Sequence, residues 1–156
     1  MRKILIFGNS GSGKSTLAKQ LSTDEGLAHL DLDTIAWLPS IPPERESLSV
    51  SKGKIVQFVQ ENDKWVIEGC YSDLLKLASP FANEMIFLNL SVEKCIEHCR
   101  YRPWEPHKYK SKQEQDKNLE MLIDWIRKYP VRTDEFSLLA HQKLFDEFKR
   151  KKTIRS

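Results

Sequence analysis

The stretch GNSGSGKST, residues 8–16, holds the residue types and the spacing that point most directly to chemistry. Gly8, Gly11 and Gly13 allow the backbone to curl so that successive amide groups face inward, and inward-facing amides bind phosphate oxygens. A glycine-rich turn without a ligand is the alternative, but it explains neither the lysine at position 14 nor the two hydroxyl residues after it. The stretch therefore predicts a site for a phosphorylated ligand.

The spacing matches the P-loop, or Walker A, pattern GxxxxGK[ST], with an apolar strand before it and a helical pattern after it. The positive end of such a helix adds to the attraction of the loop amides. Lys14 would reach the β and γ phosphates, which makes it a predicted catalytic residue, and the Ser15 hydroxyl would bind Mg²⁺. We therefore predict ATP and Mg²⁺ as cofactors, and the predicted nucleotide-binding residues are Gly8, Asn9, Ser10, Gly11, Ser12, Gly13, Lys14, Ser15 and Thr16.

Length and composition limit the class of protein. The chain has 156 residues, of which 40% are hydrophobic and 30% are charged, and these values predict one soluble globular domain. No apolar run is long enough to span a bilayer, and three cysteines fit free thiols, so we expect a cytoplasmic protein that does not bind membranes. No pattern indicates an oligomeric state.

The net charge of +3 owes much to the C-terminal stretch FKRKKTIRS. Cations at a helix end complement the helix dipole, so a solvated helix end is the favoured interpretation. Nucleic-acid binding through this basic C-terminus stays open as a less favoured one.

Strands and helices alternate along the chain and must position the loop. Strands are predicted at residues 3–7, in LAHLDLD, in KWVIEG, in EMIFLNLS and, as a fifth, in KKTIR, and the first and third of them are predicted to be buried. Apolar periodicity predicts helices from about Lys14 to Leu21, up to Asn62, from Ser91, up to about Tyr129, and from Leu138 to Phe148. The prolines of WLPSIPPERES predict an irregular loop after the second strand. This alternation predicts a parallel sheet covered by helices on both faces, whose strand order periodicity does not reveal.

These segments, taken in order, resemble the adenylate kinase and shikimate kinase superfamily of P-loop kinases. The resemblance rests on GxxxxGKST, HLDLDTIAW, WVIEGCY, IFLNLS and an arginine-bearing segment, and it covers nearly the whole chain. The chain is most similar to small bacterial proteins of the shikimate kinase-like type or of the adenylate kinase-related DNA topology modulation type. A guanine-specific NKxD sequence is absent, and the chain is too short for the helical lid domain of a ring-forming ATPase.

The resemblance implies a three-layer α/β P-loop NTPase fold, with about five parallel strands in the order 2-3-1-4-5. It also implies a single domain over residues 1–156, with a substrate-binding insert around 34–64 and a lid around 100–115.

The resemblance further implies roles for acidic residues. Asp31 and Asp33 match a DxD at the end of the second strand, where alternation would place both carboxylates on one side. Asp31 would order water around Mg²⁺, and Asp33 would act in catalysis by accepting a proton or hydrogen bond from the attacking hydroxyl. Either carboxylate could instead only cap a turn. Glu68 matches a Walker-B-like acid or a substrate-contacting residue, with a structural acid as the alternative, and Asn89 has no predicted role.

Arginines are expected where phosphoryl transfer builds charge on phosphate oxygens. Arg100 and Arg102 match the start of the mobile lid and are predicted catalytic residues, with Arg127 and Arg132 as possible partners. A surface location without function is the alternative for each of them.

The acceptor would bind between the second and third strands. Trp37 could stack on a planar ring or belong to the core, and Arg45 could hold an anionic group or pair with Glu44 or Glu46. We therefore predict Asp33, Trp37, Arg45 and Glu68 as substrate-binding residues. The insert shows no recognisable nucleoside or shikimate pocket, and EGCY lacks the glycine triplet that shikimate-using relatives carry.

Cys95, His98 and Cys99 share one helix face and suggest a zinc site, but no fourth ligand is evident, so packing is favoured. The leading hypothesis is an ATP-dependent kinase that transfers the γ-phosphoryl group to a small-molecule or nucleotide acceptor. The alternative is a nucleotide-binding regulatory ATPase associated with DNA, whose sequence support is the basic C-terminus.

Overall fold

The computed structural model describes residues 1–156, and its helices lie on both faces of one five-stranded sheet. The strands are β1 (Lys3–Gly8), β2 (Ala28–Asp31), β3 (Trp65–Gly69), β4 (Glu84–Leu88) and β5 (Lys151–Arg155). The helices are α1 (Lys14–Glu25), α2 (Leu48–Glu61), α3 (Ser72–Ala78), α4 (Val92–Arg100), α5 (Lys112–Arg127) and α6 (Leu138–Glu147), and short 3-10 helices span Leu32–Thr34 and Ser79–Phe81. No helix has the length and apolar character needed to cross a membrane.

All neighbouring strands pair in parallel, and their order is β2-β3-β1-β4-β5. The predicted fold class and the strand order implied by the resemblance are both confirmed. The chain moves from β1 to one side of the sheet for β2 and β3, and to the other side for β4 and β5. The direction of strand order therefore reverses beside β1. Ligands of open parallel sheets bind at such a point, outside the carboxyl ends of the strands.

Apolar side chains on both sheet faces explain why the strands read as continuous hydrophobic runs. Alternate residues of β1 point to opposite faces, so that Leu5 and Phe7 join the larger cluster while Ile4 and Ile6 join the smaller one. All four side chains are fully buried. Burial on both faces fixes the register of β1 and therefore the position at which the glycine loop leaves the sheet.

Two local predictions need correction, and both concern the chain after β2. The strand predicted in LAHLDLD ends at Asp31, and the next three residues form a turn of 3-10 helix. The proline-rich stretch is not wholly irregular, because Trp37 and Arg45 form an antiparallel bridge. Prolines lack a backbone N–H donor, but the backbone groups of the residues on either side of the prolines still form hydrogen bonds with each other.

The remaining differences concern helices. Helix α3 has no counterpart among the predicted helices, since its seven residues are too few to show a helical period. The basic C-terminal stretch is not a helix end, and the fifth strand predicted in KKTIR is confirmed as β5, Lys151–Arg155, at the exposed edge of the sheet. Strand β5 pairs with β4 through its backbone, so its side chains need not be apolar.

Candidate nucleotide-binding and phosphoryl-transfer site

The glycine loop leaves β1 and curls in a way that requires glycine at two positions. Gly11 has a φ of 79° and Gly13 a φ of 90°, and side chains disfavour this left-handed region. A Cβ at Gly11 would also lie 2.9 Å from the Sγ of Cys99 on α4. Helix α4 therefore packs directly against the back of the P-loop.

The N-terminal end of α1 is open to an anion. Helices α2, α4, α5 and α6 each begin after a serine whose side chain accepts a backbone N–H bond, namely Ser47, Ser91, Ser111 and Ser137. Helix α1 begins after Gly13 without a side-chain cap, and it has no acidic residue in its first turn. Its first amide groups lack the partners that caps supply elsewhere, so the loop fits a phosphate chain.

Lys14 completes the loop on its inner side. In the structure its Nζ donates to the carbonyl oxygen of Asn9 at 2.8 Å, which folds the side chain across the loop. Asn9 itself is buried, and its Nδ2 donates to the carbonyl oxygen of Ile126 at 3.2 Å. The first turn of the loop is therefore held to the end of α5.

A cavity of about 300 Å³ lies between the P-loop and the segment that joins α4 to α5. Its P-loop side includes Lys14, Ser15 and Thr16, and its other side includes Arg102 and residues 103–108. The volume lies at the lower end of the range for small-molecule sites. A basic side chain thus faces the P-loop from across the cavity.

The four candidate arginines lie in different surroundings. Arg102 lines the P-loop cavity, whereas Arg100 ends α4 and lines neither that cavity nor the adjoining one of about 530 Å³. Arg127 is exposed and lies 3.6 Å from Asp124. Arg132 lies 3.3 Å above the ring of Trp125. Of the four, only Arg102 lines the P-loop cavity.

Ser15 and Glu68 meet beneath the P-loop. The Ser15 hydroxyl donates to the Glu68 carboxylate at 2.6 Å, and the His29 Nε2 lies 3.2 Å from the same oxygen. Burial opposes the charged form of Glu68, but hydrogen bonds from His29 and Ser15 and the charge of Lys14 together hold its pKa below the usual value. An ionised carboxylate therefore lies against the hydroxyl that is predicted to bind Mg²⁺.

Asp31 ends β2 beside Glu68, and Asp33 lies in the 3-10 turn that follows. Asp31 is in register with Glu68 on β3, and its Oδ1 accepts the backbone N–H of Asp33 at 2.9 Å. Asp31 thus caps the turn, and the turn rather than strand alternation brings the two aspartates together. Burial raises the pKa of Asp31, and the Glu68 and Asp33 carboxylates raise it further. A bound cation would offset the repulsion between these carboxylates.

The donor set fits Mg²⁺ in the presence of a nucleotide. Carboxylate and hydroxyl oxygens are its preferred ligands, and it commonly uses one or two carboxylates together with water and substrate phosphates. No group of three or more histidine, cysteine, aspartate or glutamate residues could hold a metal ion by itself. The residues that could contribute are Ser15, Glu68 and, through water, Asp31.

Two of the four predicted acceptor residues, Trp37 and Asp33, form a hydrogen-bonded chain through Tyr71, a residue that was not predicted from the sequence. The Trp37 Nε1 donates to the Tyr71 hydroxyl at 2.8 Å, and that hydroxyl donates to the Oδ1 of Asp33. Burial and the Asp33 carboxylate raise the pKa of Tyr71, so its hydroxyl stays protonated. Trp37 is 40% exposed, so it is not a core residue.

Glu68 and Arg45 have partners that spacing could not reveal. Glu68, predicted as a Walker-B-like acid or a substrate-contacting residue, lies against Ser15. Arg45 pairs with Asp73 rather than with either neighbouring glutamate. Asp73 lies outside the segments that carry the resemblance, and although His29 and Tyr71 lie within HLDLDTIAW and WVIEGCY, their contacts with Glu68 and Asp33 depend on the fold.

The cysteine and histidine residues of α4 pack against the P-loop and α5. Cys95 and Cys99 are buried with Ile126, and the Nδ1 of His98 lies 2.7 Å from the carbonyl oxygen of Gly11. His98 is therefore part of the P-loop support.

Comparisons with known proteins agree with this architecture. A family model described as an AAA domain, AAA_18, matches residues 4–120, and the chain belongs to this family. The matched range includes the P-loop, Glu68 and the segment that faces the loop across the cavity. The chain is 28% identical over 136 residues to the uncharacterized protein YqaC of Bacillus subtilis (strain 168), covering 82% of this chain and 72% of that protein.

Two solved structures show the same fold. Shikimate kinase from Bacteroides thetaiotaomicron has a TM-score of 0.50 and 15% identity, and the match covers 93% of this chain and 97% of that one. The YorR protein of Bacillus subtilis, solved in complex with phosphorylated GDP, has a TM-score of 0.53 and 10% identity, covering 99% of this chain and 85% of that one. The fold is that of P-loop kinases of the adenylate and shikimate kinase-like type, as the resemblance implies, and the DNA-associated alternative gains no support.

Proposed function

We propose that this chain is an Mg²⁺-dependent kinase that transfers the γ-phosphoryl group of ATP to a small acceptor. The observation that carries the proposal is the 2.6 Å contact between the Ser15 hydroxyl and the buried, ionised Glu68 directly beneath the P-loop. A purely structural glycine turn would not need a buried carboxylate at this place, because burying a charge is costly unless it is paired. The kinase folds of its structural neighbours support the same reaction class.

The loop residues would bind the triphosphate. The amides at the N-terminal end of α1 would hold phosphate oxygens, and Lys14 would exchange its bond to Asn9 for the β and γ phosphates. Arg102 would face the γ-phosphate from the other side of the cavity. Bound Mg²⁺ would neutralise charge on the β and γ oxygens, and Ser15 and Glu68 would hold it.

Asp33 would accept a hydrogen bond or proton from the acceptor hydroxyl. The Tyr71 hydroxyl donates to one Asp33 oxygen and so orients the carboxylate, which leaves the other oxygen for the acceptor. We place the acceptor beside the insert at residues 34–64, and we assign residues 100–115 as the lid that would exclude water. With three free cysteines, we propose a cytoplasmic location for this activity.

Calorimetry with ATP and Mg²⁺ on the folded protein tests the first step. We expect saturable binding, and we expect Lys14→Met to weaken it while Lys143→Met, an exposed lysine on α6, leaves it unchanged. A panel of acceptors screened for stimulated ADP release tests the second step, where Lys14→Met should lower the rate by 100-fold or more, about 3 kcal/mol in transition-state stabilisation. Absence of binding heat for both ATP and GTP would overturn the proposal.

A further inference from the structure

Arg45, the cation predicted to anchor an acceptor anion, is already held by carboxylates. Its Nη2 donates to both oxygens of Asp73 at 3.1 and 3.3 Å, and its Nη1 lies 3.8 Å from an oxygen of Glu135. Its Nε donates to the carbonyl oxygen of Ala36 at 3.2 Å. Two carboxylates therefore outweigh the single positive charge of this side chain.

Aromatic rings surround the same guanidinium. Its central carbon lies 4.9 Å from the ring centre of Tyr71, 5.7 Å from that of Phe136 and 5.8 Å from that of Trp37. A cation between ring faces gains stability in addition to its ion pair, and it loses both when it moves. Only 22% of the Arg45 side chain is exposed. An incoming anion would have to displace these contacts to reach it.

Arg132, the other arginine near these aromatic rings, is engaged in the same way. It lies 3.3 Å above the ring of Trp125, and its Nε donates to the Asp134 carboxylate at 3.0 Å. The ring of Trp125 in turn packs against Phe136, with centres 5.3 Å apart. Both arginines on this side of the site are thus paired with a carboxylate and stacked on a ring.

We infer that the acceptor carries neither a phosphate nor a carboxylate group, and that it is an uncharged polyhydroxyl compound of the nucleoside or sugar type. The inference rests on the proposed kinase function. Asp33 offers a free carboxylate oxygen to an acceptor hydroxyl, and Trp37 offers an exposed ring to a flat or apolar face. An anionic acceptor would meet Asp33, Asp73 and Glu135 without a free arginine to offset them.

Matched acceptor pairs test this inference with the wild-type protein. Each nucleoside is compared with its 5′-monophosphate, and each sugar with the corresponding sugar acid, by ADP release with ATP and Mg²⁺. We expect the uncharged member of the productive pair to have a kcat/KM at least 10-fold higher. A monophosphate or sugar acid that is the better acceptor would overturn the inference.

A binding experiment makes the test independent of turnover. The protein is saturated with a non-hydrolysable ATP analogue and Mg²⁺, and AMP and gluconate are titrated by calorimetry. We expect weak binding to the wild type and at least 10-fold tighter binding to Asp73→Asn/Glu135→Gln, which releases Arg45. The added substitution Arg45→Met should abolish that gain.

The design distinguishes the two proposals from each other. Asp73→Asn keeps the side-chain oxygen that accepts the Leu74 N–H, and Glu135→Gln alone serves if the double variant does not fold. Tight anion binding to the wild type, or no gain in the folded variant, would overturn the acceptor inference. Failure of the wild type to bind the ATP analogue would instead overturn the kinase function.

Discussion

The Nδ1 of His98 lies 2.7 Å from the carbonyl oxygen of Gly11, so that a side chain of α4 holds the backbone of the P-loop. Because a carbonyl oxygen accepts, this Nδ1 carries the proton. Asn9 holds the same loop to the end of α5. Residues 101–111 connect these two helices, so the P-loop is bonded to both helices that flank the segment facing it across the cavity.

Removing the His98 donor should weaken nucleotide binding without unfolding the protein. We expect His98→Ala to raise the Kd for ATP about 3- to 10-fold, the effect of one hydrogen bond. His98→Asn, which keeps a donor at the δ position, should stay within about 2-fold of the wild type. Calorimetry with ATP and Mg²⁺ measures both, and Glu97→Ala on an exposed position of the same helix is the control. Equal Kd values for His98→Ala and wild type would refute a role for this contact.

Replacing Glu68 should change the Mg²⁺ concentration that the reaction needs. Glu68→Gln keeps an oxygen for the Ser15 hydroxyl but removes the negative charge. We expect about a 100-fold loss of kcat and a higher Mg²⁺ concentration at half-maximal rate, because a neutral amide holds the ion poorly. Rates measured across a Mg²⁺ titration test this, with the exposed Glu93→Gln as control. An unchanged Mg²⁺ midpoint would show that Glu68 is a structural acid.

His141 should make the protein less stable in mild acid. Its Nδ1 accepts from the Tyr129 hydroxyl and its Nε2 donates to the Cys70 carbonyl oxygen, each at 2.7 Å, so the buried ring is neutral. Burial lowers the pKa of His141 from 6.5 to about 4. At this histidine the unfolded chain takes up a proton at higher pH than the folded chain. The contribution of the neutral His141 ring to the free energy of unfolding is therefore complete above pH 6.5 and is lost as the pH falls toward 4. The loss amounts to about 3 kcal/mol.

Urea unfolding between pH 7.5 and pH 4.5 measures this loss. His141→Gln should be less stable at every pH because its hydrogen bonds are poorer, yet its free energy of unfolding should fall less between the two pH values. His107→Gln, at a side chain 62% exposed, should keep the wild-type slope. A slope in His141→Gln equal to that of the wild type would contradict the assignment.

Much of the site could be predicted where its residues are neighbours in the chain. The P-loop needs glycine at Gly11 and Gly13 and a lysine and hydroxyl directly after them, and each requirement acts within a few residues. The strands could be predicted because burial on both sheet faces leaves a continuous apolar run. Helix α3 could not, since its seven residues span only about two helical turns, too few repeats of the period to identify it.

Contacts between distant segments were decided by tertiary structure. Glu68 meets Ser15 because β3 lies beside β1 in a definite register, and Arg45 meets Asp73 because the proline-rich stretch folds back over α3. Spacing along the chain does not predict these distances, because they depend on strand order and on packing of the whole core. The sequence by itself determined that a phosphate loop follows the first strand, whereas only the fold decided which arginines and carboxylates pair with each other.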